Sequence, residues 1–152
     1  SLRTVTGVQT CALPICPRQR PDLAIRKFMQ RIDAGATIPV FGDGTMGRDY
    51  TFIGDIVDGI VAALIHECRY EIFNLGNSHP VLLHEMISTL ERALGRQAVI
   101  DRQPLQPGDV PITYADISKP QRLLGYAPRT PFAAGIGKMV EWFRRAGLSQ
   151  RA

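Results

Sequence analysis

The sequence predicts an α/β fold, and three observations carry that prediction. Apolar residues recur at helical spacing in "LAIRKFMQRIDAG", "LLHEMISTLERALG" and "TPFAAGIGKMVEWFRRAG". Between these stretches lie short runs rich in β-branched and aromatic residues, "TIPVF", "YEIFNLG" and "QAVIDRQ", bounded by Gly and Pro. Helices and short strands therefore alternate along a chain of 152 residues, long enough for one domain with a real core.

Each element follows from local chemistry. Asp22 is the expected N-cap of the first helix, which places Leu23, Ile25, Phe28, Met29 and Ile32 on one face and stops at Gly35. "TIPVFGDGTMGRDYTFI" reads as two extended segments around the Asp43-Gly44 turn signal. "DIVDGIVAALIHE" sets Ile56, Ile60, Ala63 and Leu64 on the buried face of a second helix despite Gly59. "YEIFNLG" is a buried-strand candidate ended by "GNSHP". A third helix carries Leu83, Met86, Ile87, Leu90 and Leu94 in register, with Gly95 as its stop, and "QAVIDRQ" follows as a strand. The proline-rich "PLQPGDVPITYAD" reads as a loop that no regular element holds. "SKPQRLLGY" is a short capped helix. The last helix has Thr130 as cap, Pro131 at its first position, and Phe132, Ile136, Met139 and Phe143 as its buried stripe.

Composition excludes several function classes. The net charge of +4 is the balance of 18 basic and 14 acidic residues, and the basic ones are spread along the chain. The densest cluster, "PRQRP", has no aromatic interleaving, so no nucleic-acid partner is expected; a few arginines meeting a small polyanion fit better. No apolar run approaches the roughly 20 residues that span a bilayer, and the opening lacks the pattern of a secretory signal. With three sparse cysteines and no CxxC pair, the expectation is a cytoplasmic protein without a membrane partner. His66, His79 and His84 have no second ligand at metal spacing, so no metal site is expected. Ser78, Ser88 and Ser118 lack any nucleophile-elbow context.

Three loops stand out: "PRQRPD", "FGDGTMGRDYT" and "LQPGDVPITYAD". Each sets arginine, aspartate or backbone amides beside glycine and proline, which fix loop shape and let a ligand approach the backbone. Arg18 and Arg20 stand just before a helix N-terminus, where free N–H groups favour an anion. Each residue also has a plain structural explanation. Loop arginines usually face water, Arg48 and Asp49 make sense as a surface ion pair, Phe41 as core, and Asp109 as turn chemistry.

In their order and spacing these segments resemble a known family. "PRQRPDLAIRKF", "IPVFGDGTMGRDYTFIGDIVDGI", "FNLGNSHPVLLHEMI" and "QPGDVPITYADISK" resemble the C-terminal part of NAD-dependent sugar-nucleotide epimerases. These are extended short-chain dehydrogenase/reductases of Rossmann type, and the likeness is greatest to UDP-glucuronate 4-epimerases. The resemblance covers 17–147, with 148–152 as a tail. It implies a small α/β substrate-binding lobe with returning elements, without the glycine-rich half. No Tyr-x-x-x-Lys pair occurs, and "FGDGTMG" lies between strands rather than before a helix.

What the resemblance implies for residues is specific. Arg48 would bind the diphosphate of a UDP-sugar. Phe41, with Pro39 and Val40 beside it, would line the uracil site, partly through backbone contacts. Asp109 would reach the ribose or its neighbourhood. Gln106 stands where UDP-glucose 4-epimerases commonly have a phosphate-binding arginine, and glutamine suits the glucuronate-type enzymes better. Arg20 would hold the uronate carboxylate, with Arg18 as a weaker candidate. In the family, NAD takes hydride from C4 of the sugar, the 4-keto sugar turns over, and hydride returns to its other face. The implied parent is a homodimer with NAD as cofactor and a UDP-sugar as substrate; the chain by itself is expected to hold no catalytic residue, to bind no NAD and to be inactive. The alternatives are a UDP-glucose 4-epimerase, another dehydratase or decarboxylase of the family, or a non-catalytic nucleotide-binding domain. The first helix and last strands are also expected to expose apolar surface without a neighbouring domain.

The resemblance begins at Pro17, where a strand of the type "LRFFTVYG" would be expected before it. Instead Val5 to Ile15 match, over eleven consecutive residues, the translation of a common sequencing-adapter oligonucleotide. Residues 1–16 are therefore expected to be a non-native segment, with Cys11 and Cys16 as incidental thiols.

Overall fold

In the computed structural model, which describes residues 13–149, β1 (Leu13–Ile15) runs parallel to β3 (Gly47–Phe52), with Ile15 opposite Phe52. β3 is the centre of this sheet. Its first half also pairs antiparallel with β4 (Pro80–Leu82) and parallel with the two-residue β6 (Ile112–Thr113). A second, two-stranded parallel sheet joins β2 (Thr37–Phe41) to β5 (Val99–Gln103). The Asp43-Gly44 turn thus links two sheets rather than closing a hairpin. Gly42, Gly44 and Gly47 do fall at G-x-G-x-x-G spacing, but they connect strand to strand.

Three helices enclose the main core. α1 (Ala24–Asp33), α3 (Leu83–Leu94) and α5 (Phe132–Arg145) bury Ile25, Phe28, Met29 and Ile32; Met86, Ile87, Leu90 and Leu94; and Ile136, Met139, Val140 and Phe143. The periodicity assigned these positions except Val140, the assigned Leu23, Leu83 and Phe132 being only half-buried, and Gly95 ends α3 in the left-handed region at φ 67°. The caps differ from expectation. α1 starts after Leu23, and the Asp22 carboxylate lies 3.3 Å from Arg20 instead of on the helix end. At α5, Pro131 is the N-cap, and the Thr130 N–H donates to Asp55 at 3.1 Å.

A smaller cluster joins Ile56 of α2 (Ile53–Ile65), Leu75, Ala115, Ile117 and Tyr126, which follows α4 (Ser118–Leu124). Here two expectations are corrected. "YEIFNLG" buries Phe73 and Leu75 but takes no regular structure, and no strand pairs with it among the described residues. Leu64 is exposed rather than buried, together with Val57, Val61 and Ile65. Exposed apolar surface therefore lies on α2, at Tyr70 and Ile72, and on the last strands as expected, at Val99 and Ile100 of β5 and Ile112 of β6, but not on the well-buried α1. The loop 104–116 is likewise not wholly irregular, since β6 forms within it.

Of the segment expected to be non-native, residues 1–12, including Cys11, lie outside the described residues, as do 150–152 of the tail. Ile15 is 1% exposed and belongs to the main core, so the expected boundary at Pro17 is not an edge of the folded core. Cys16 is half-buried and Cys68 exposed. In the tail, the Ser149 hydroxyl donates to Asp33 of α1 at 2.8 Å.

Candidate functional site

The turn between β2 and β3 is fixed first by its own residues. The Thr45 N–H and hydroxyl donate to Asp43 Oδ1 at 2.9 and 2.6 Å, an Asx-type arrangement. The Thr45 hydroxyl is the main reason that the Asp43 carboxyl is held below its usual range. β3 then begins, and Arg48 is its second residue.

Arg48 and Asp109, chosen separately from the sequence, are brought together. Arg48 Nη1 donates to the carbonyls of Val110 at 2.7 Å and Gly47 at 2.9 Å, and its Nη2 lies 3.5 Å from Asp109 Oδ1. The Arg48 side chain is 24% exposed and that of Asp109 32%. The loop 104–111 is therefore wrapped around the arginine, and β6 pairs with Arg48 just beyond it.

Asp49 is not the ion-pair partner of Arg48. It points to the other face of β3, is 1% exposed, and accepts three backbone N–H groups: Asn77 at 3.1 Å, Ser78 at 3.0 Å and Ala115 at 3.0 Å. One carboxylate thus ties the end of the 74–79 segment to the end of the Asp109 loop. The approach is close enough that a Cβ on Gly76 would lie 2.6 Å from Ala115 Cβ and 2.7 Å from Asp49 Oδ2. Tyr126 adds a second tie, its hydroxyl donating to the Gly76 carbonyl at 2.9 Å. Burial, then Asp55, Asp49 and Asp58, push its phenol up to about 12.

A pocket of about 310 Å³ opens between the first turn of α1 and the two sheets. Pro39 and Phe41 of β2, Arg48 and Tyr50 of β3, Leu23 and Lys27 at the start of α1, and Leu83 are among its walls. Tyr50 is buried, which raises its phenol above the usual value against the opposing pull of Arg48. Three of the sequence-chosen residues, Pro39, Phe41 and Arg48, share this pocket. Val40 does not: it is 3% exposed and faces the core, as period-two alternation along β2 requires. Arg18, Arg20 and Gln106 are exposed and do not line it. Gln19 between the two arginines is buried, its side-chain amide donating to the Pro14 carbonyl at 2.8 Å, so the loop folds inward there and turns Arg18 and Arg20 out. Lys27 and Tyr50 were missed because both sit at ordinary positions of a helix and a strand.

A larger open groove of about 920 Å³ runs along α3 past His79, His84 and Phe132. It holds none of the sequence-chosen residues, and its polar side chains largely serve their own helix, as Glu85 and Arg92 do. The smaller pocket, with its fixed arginine and aromatic wall, is the candidate site.

The topology and this arginine-anchored pocket define a class: the C-terminal portion of a Rossmann-type extended short-chain dehydrogenase/reductase. The chain belongs to the GDP-mannose 4,6 dehydratase family, whose sequence pattern matches residues 14–139. It is 39% identical over 127 residues to a UDP-glucuronate 4-epimerase of Thermodesulfobacterium geofontis, covering 83% of this chain and 39% of that protein. Among solved structures it is similar to MoeE5 in complex with UDP-glucuronic acid and NAD, at 28% identity and a TM-score of 0.84, covering 91% of this chain and 46% of the other. A Bacillus cereus UDP-glucuronic acid 4-epimerase, also solved with UDP-glucuronic acid and NAD, gives 32% identity and a TM-score of 0.83 over 91% and 45% of the two chains. The chain thus spans less than half the length of these relatives. Gly42, Gly44 and Gly47 join strand to strand, and α2 follows β3 directly.

Proposed function

We propose that this chain is the UDP-sugar-binding portion of an NAD-dependent nucleotide-sugar epimerase acting on UDP-glucuronate. The observation that carries the reading is Arg48, held by the Gly47 and Val110 carbonyls and the Asp109 carboxylate at the wall of a pocket that also contains Pro39 and Phe41. A flat base fits against the Phe41 ring and the Pro39 face, and a diphosphate fits the remaining donor capacity of the guanidinium. Asp109 stands within reach of a ribose at the same mouth. Epimerisation at C4 requires the nucleotide to stay fixed while the hexose turns over, and an arginine clamped by backbone carbonyls meets that demand. The similarity to proteins solved with UDP-glucuronic acid supports the choice of sugar. NAD and the catalytic groups belong to the longer parent protein in this reading, as do its homodimer and its cytoplasmic location. Arg18 and Arg20 are exposed on the loop before α1, and Arg20, turned from Asp22 to the ligand, would meet the uronate from outside the pocket.

Calorimetric titration of the 152-residue chain tests this. UDP is expected to bind, and Arg48→Ala to weaken binding roughly 10- to 100-fold with unchanged circular dichroism, the value of hydrogen bonds to a charged partner. Equal affinity of variant and wild type, or no UDP binding by the wild type, would overturn the assignment. Tighter binding of UDP-glucuronate than of UDP-glucose is expected; the reverse order favours a UDP-glucose 4-epimerase.

A further inference from the structure

The charges around the pocket do not cancel, and the imbalance falls on one residue. Arg48 faces Asp109 at 3.5 Å, and Asp22 at the rim faces Arg20 at 3.3 Å. Each of these carboxylates therefore has its own guanidinium. Lys27 lines the same pocket from the start of α1, half-buried, and its ammonium has no ion-pair or hydrogen-bond partner among the described residues. Its neighbours on the wall, Leu23, Ala24, Phe28, Pro39 and Phe41, are apolar. A lysine whose ammonium serves only the fold normally ends in water or on a carboxylate. Here the lysine shares its wall with apolar residues, and its charge is left to whatever enters.

We infer that Lys27 is a specificity-determining cation of this site, holding the phosphates of the nucleotide together with Arg48. The inference rests on the nucleotide-sugar reading and names a residue that reading did not use. The two cations divide the task by their chemistry. Arg48, fixed by backbone carbonyls, supplies a rigid, directional anchor, whereas Lys27 supplies a compact charge on a flexible stem that follows the phosphates. With Arg48 already facing Asp109, Lys27 provides the net positive charge that favours a diphosphate over an uncharged nucleoside.

The test compares UDP with uridine on wild type, Lys27→Met and Lys27→Arg. Lys27→Met is expected to weaken UDP about tenfold, about 1.4 kcal/mol, while uridine binding stays unchanged and the salt dependence of UDP binding flattens. Lys27→Arg is expected to restore UDP affinity to within about threefold of wild type, a difference of about 0.6 kcal/mol. Unchanged UDP affinity in Lys27→Met overturns the inference, as does equal weakening of UDP and uridine, which marks a packing role. If Lys27→Met misfolds, Lys27→Gln, with a similar stem and no charge, gives the same ratio of UDP to uridine. Failure of the wild type to bind UDP at all sinks the pocket reading and the role of Lys27 with it, so the two failures are distinct.

Discussion

Asp49→Asn changes one atom of a buried side chain, and the structure sets what that costs. Oδ2 accepts the Ser78 and Ala115 N–H groups at 3.0 Å each, and Oδ1 accepts the Asn77 N–H at 3.1 Å. The best asparagine rotamer keeps its carbonyl oxygen on the two-donor side. Its NH2 then faces the Asn77 N–H, donor against donor, at a position 1% exposed to solvent. The loss comprises one charge-assisted hydrogen bond, the weakening of two others from ionic to neutral, and an unsatisfied N–H. With buried unsatisfied groups costing about 1–3 kcal/mol and the charge assistance lost as well, the expected total is about 2–4 kcal/mol. Urea unfolding followed by circular dichroism at pH 7 should show the midpoint falling by about 1–2 M at constant m, for an m of roughly 2 kcal/mol/M. Because Ala115 anchors the chain that runs back to Val110, UDP affinity should fall with it. A midpoint shift corresponding to less than about 0.5 kcal/mol would refute the view that this carboxylate ties the three segments together.

Gly76→Ala tests the same junction from the opposite side. The new Cβ would meet Ala115 Cβ at 2.6 Å and Asp49 Oδ2 at 2.7 Å, so a loss of about 1–3 kcal/mol is expected, read by calorimetry as a Tm drop of roughly 3–10 °C; a wild-type Tm would show that the junction yields. Tyr126→Phe removes the hydroxyl bond to the Gly76 carbonyl and should cost about 1 kcal/mol at neutral pH. It should also flatten the alkaline limb of stability. With the folded phenol raised to about 12 against an ordinary 10, the neutral form stabilises the fold fully below pH 10, and that contribution is lost as pH rises towards 12. Unfolding free energies of variant and wild type at pH 9 and pH 11 should therefore converge at the higher pH, and parallel curves would contradict the shift.

The parts legible in the sequence were those governed by local periodicity. The stripes of α1, α3 and α5, the stop at Gly95 and the strands β2 and β5 follow from residues within a turn or two of each other. What was missed is non-local. Asp49 looked like half of a surface pair with its neighbour, because its three donors come from 28, 29 and 66 residues further on. β6 was hidden in a proline-rich loop because only β3 makes it a strand. Asp22 had the right chemistry for a cap, but Arg20 faces its carboxylate, and α5 begins after Pro131, one residue beyond the expected cap at Thr130. At the site, Arg48 and Asp109 stood out separately in the sequence, and their contact across 61 residues lay beyond any local pattern. Along β2 the alternation was legible too, since a strand that turns the side chains of Pro39 and Phe41 to the pocket turns that of Val40 to the core.

The loop that wraps Arg48 hangs between two fixed posts, the end of β5 at Gln103 and the Ala115 N–H on Asp49. Near its middle, Gly108 has open space where a side chain would begin, though its φ of 88° restricts what can stand there. The posts are secured by backbone pairing with β2 and by the buried Asp49 carboxylate, not by the loop's own side chains. Sequence drift between them, Asp109 apart, can therefore alter what the mouth of the pocket accepts without loosening the frame that aims the arginine. In this lobe the means of changing preference and the means of staying folded reside in different residues, so selection can act on one while leaving the other alone.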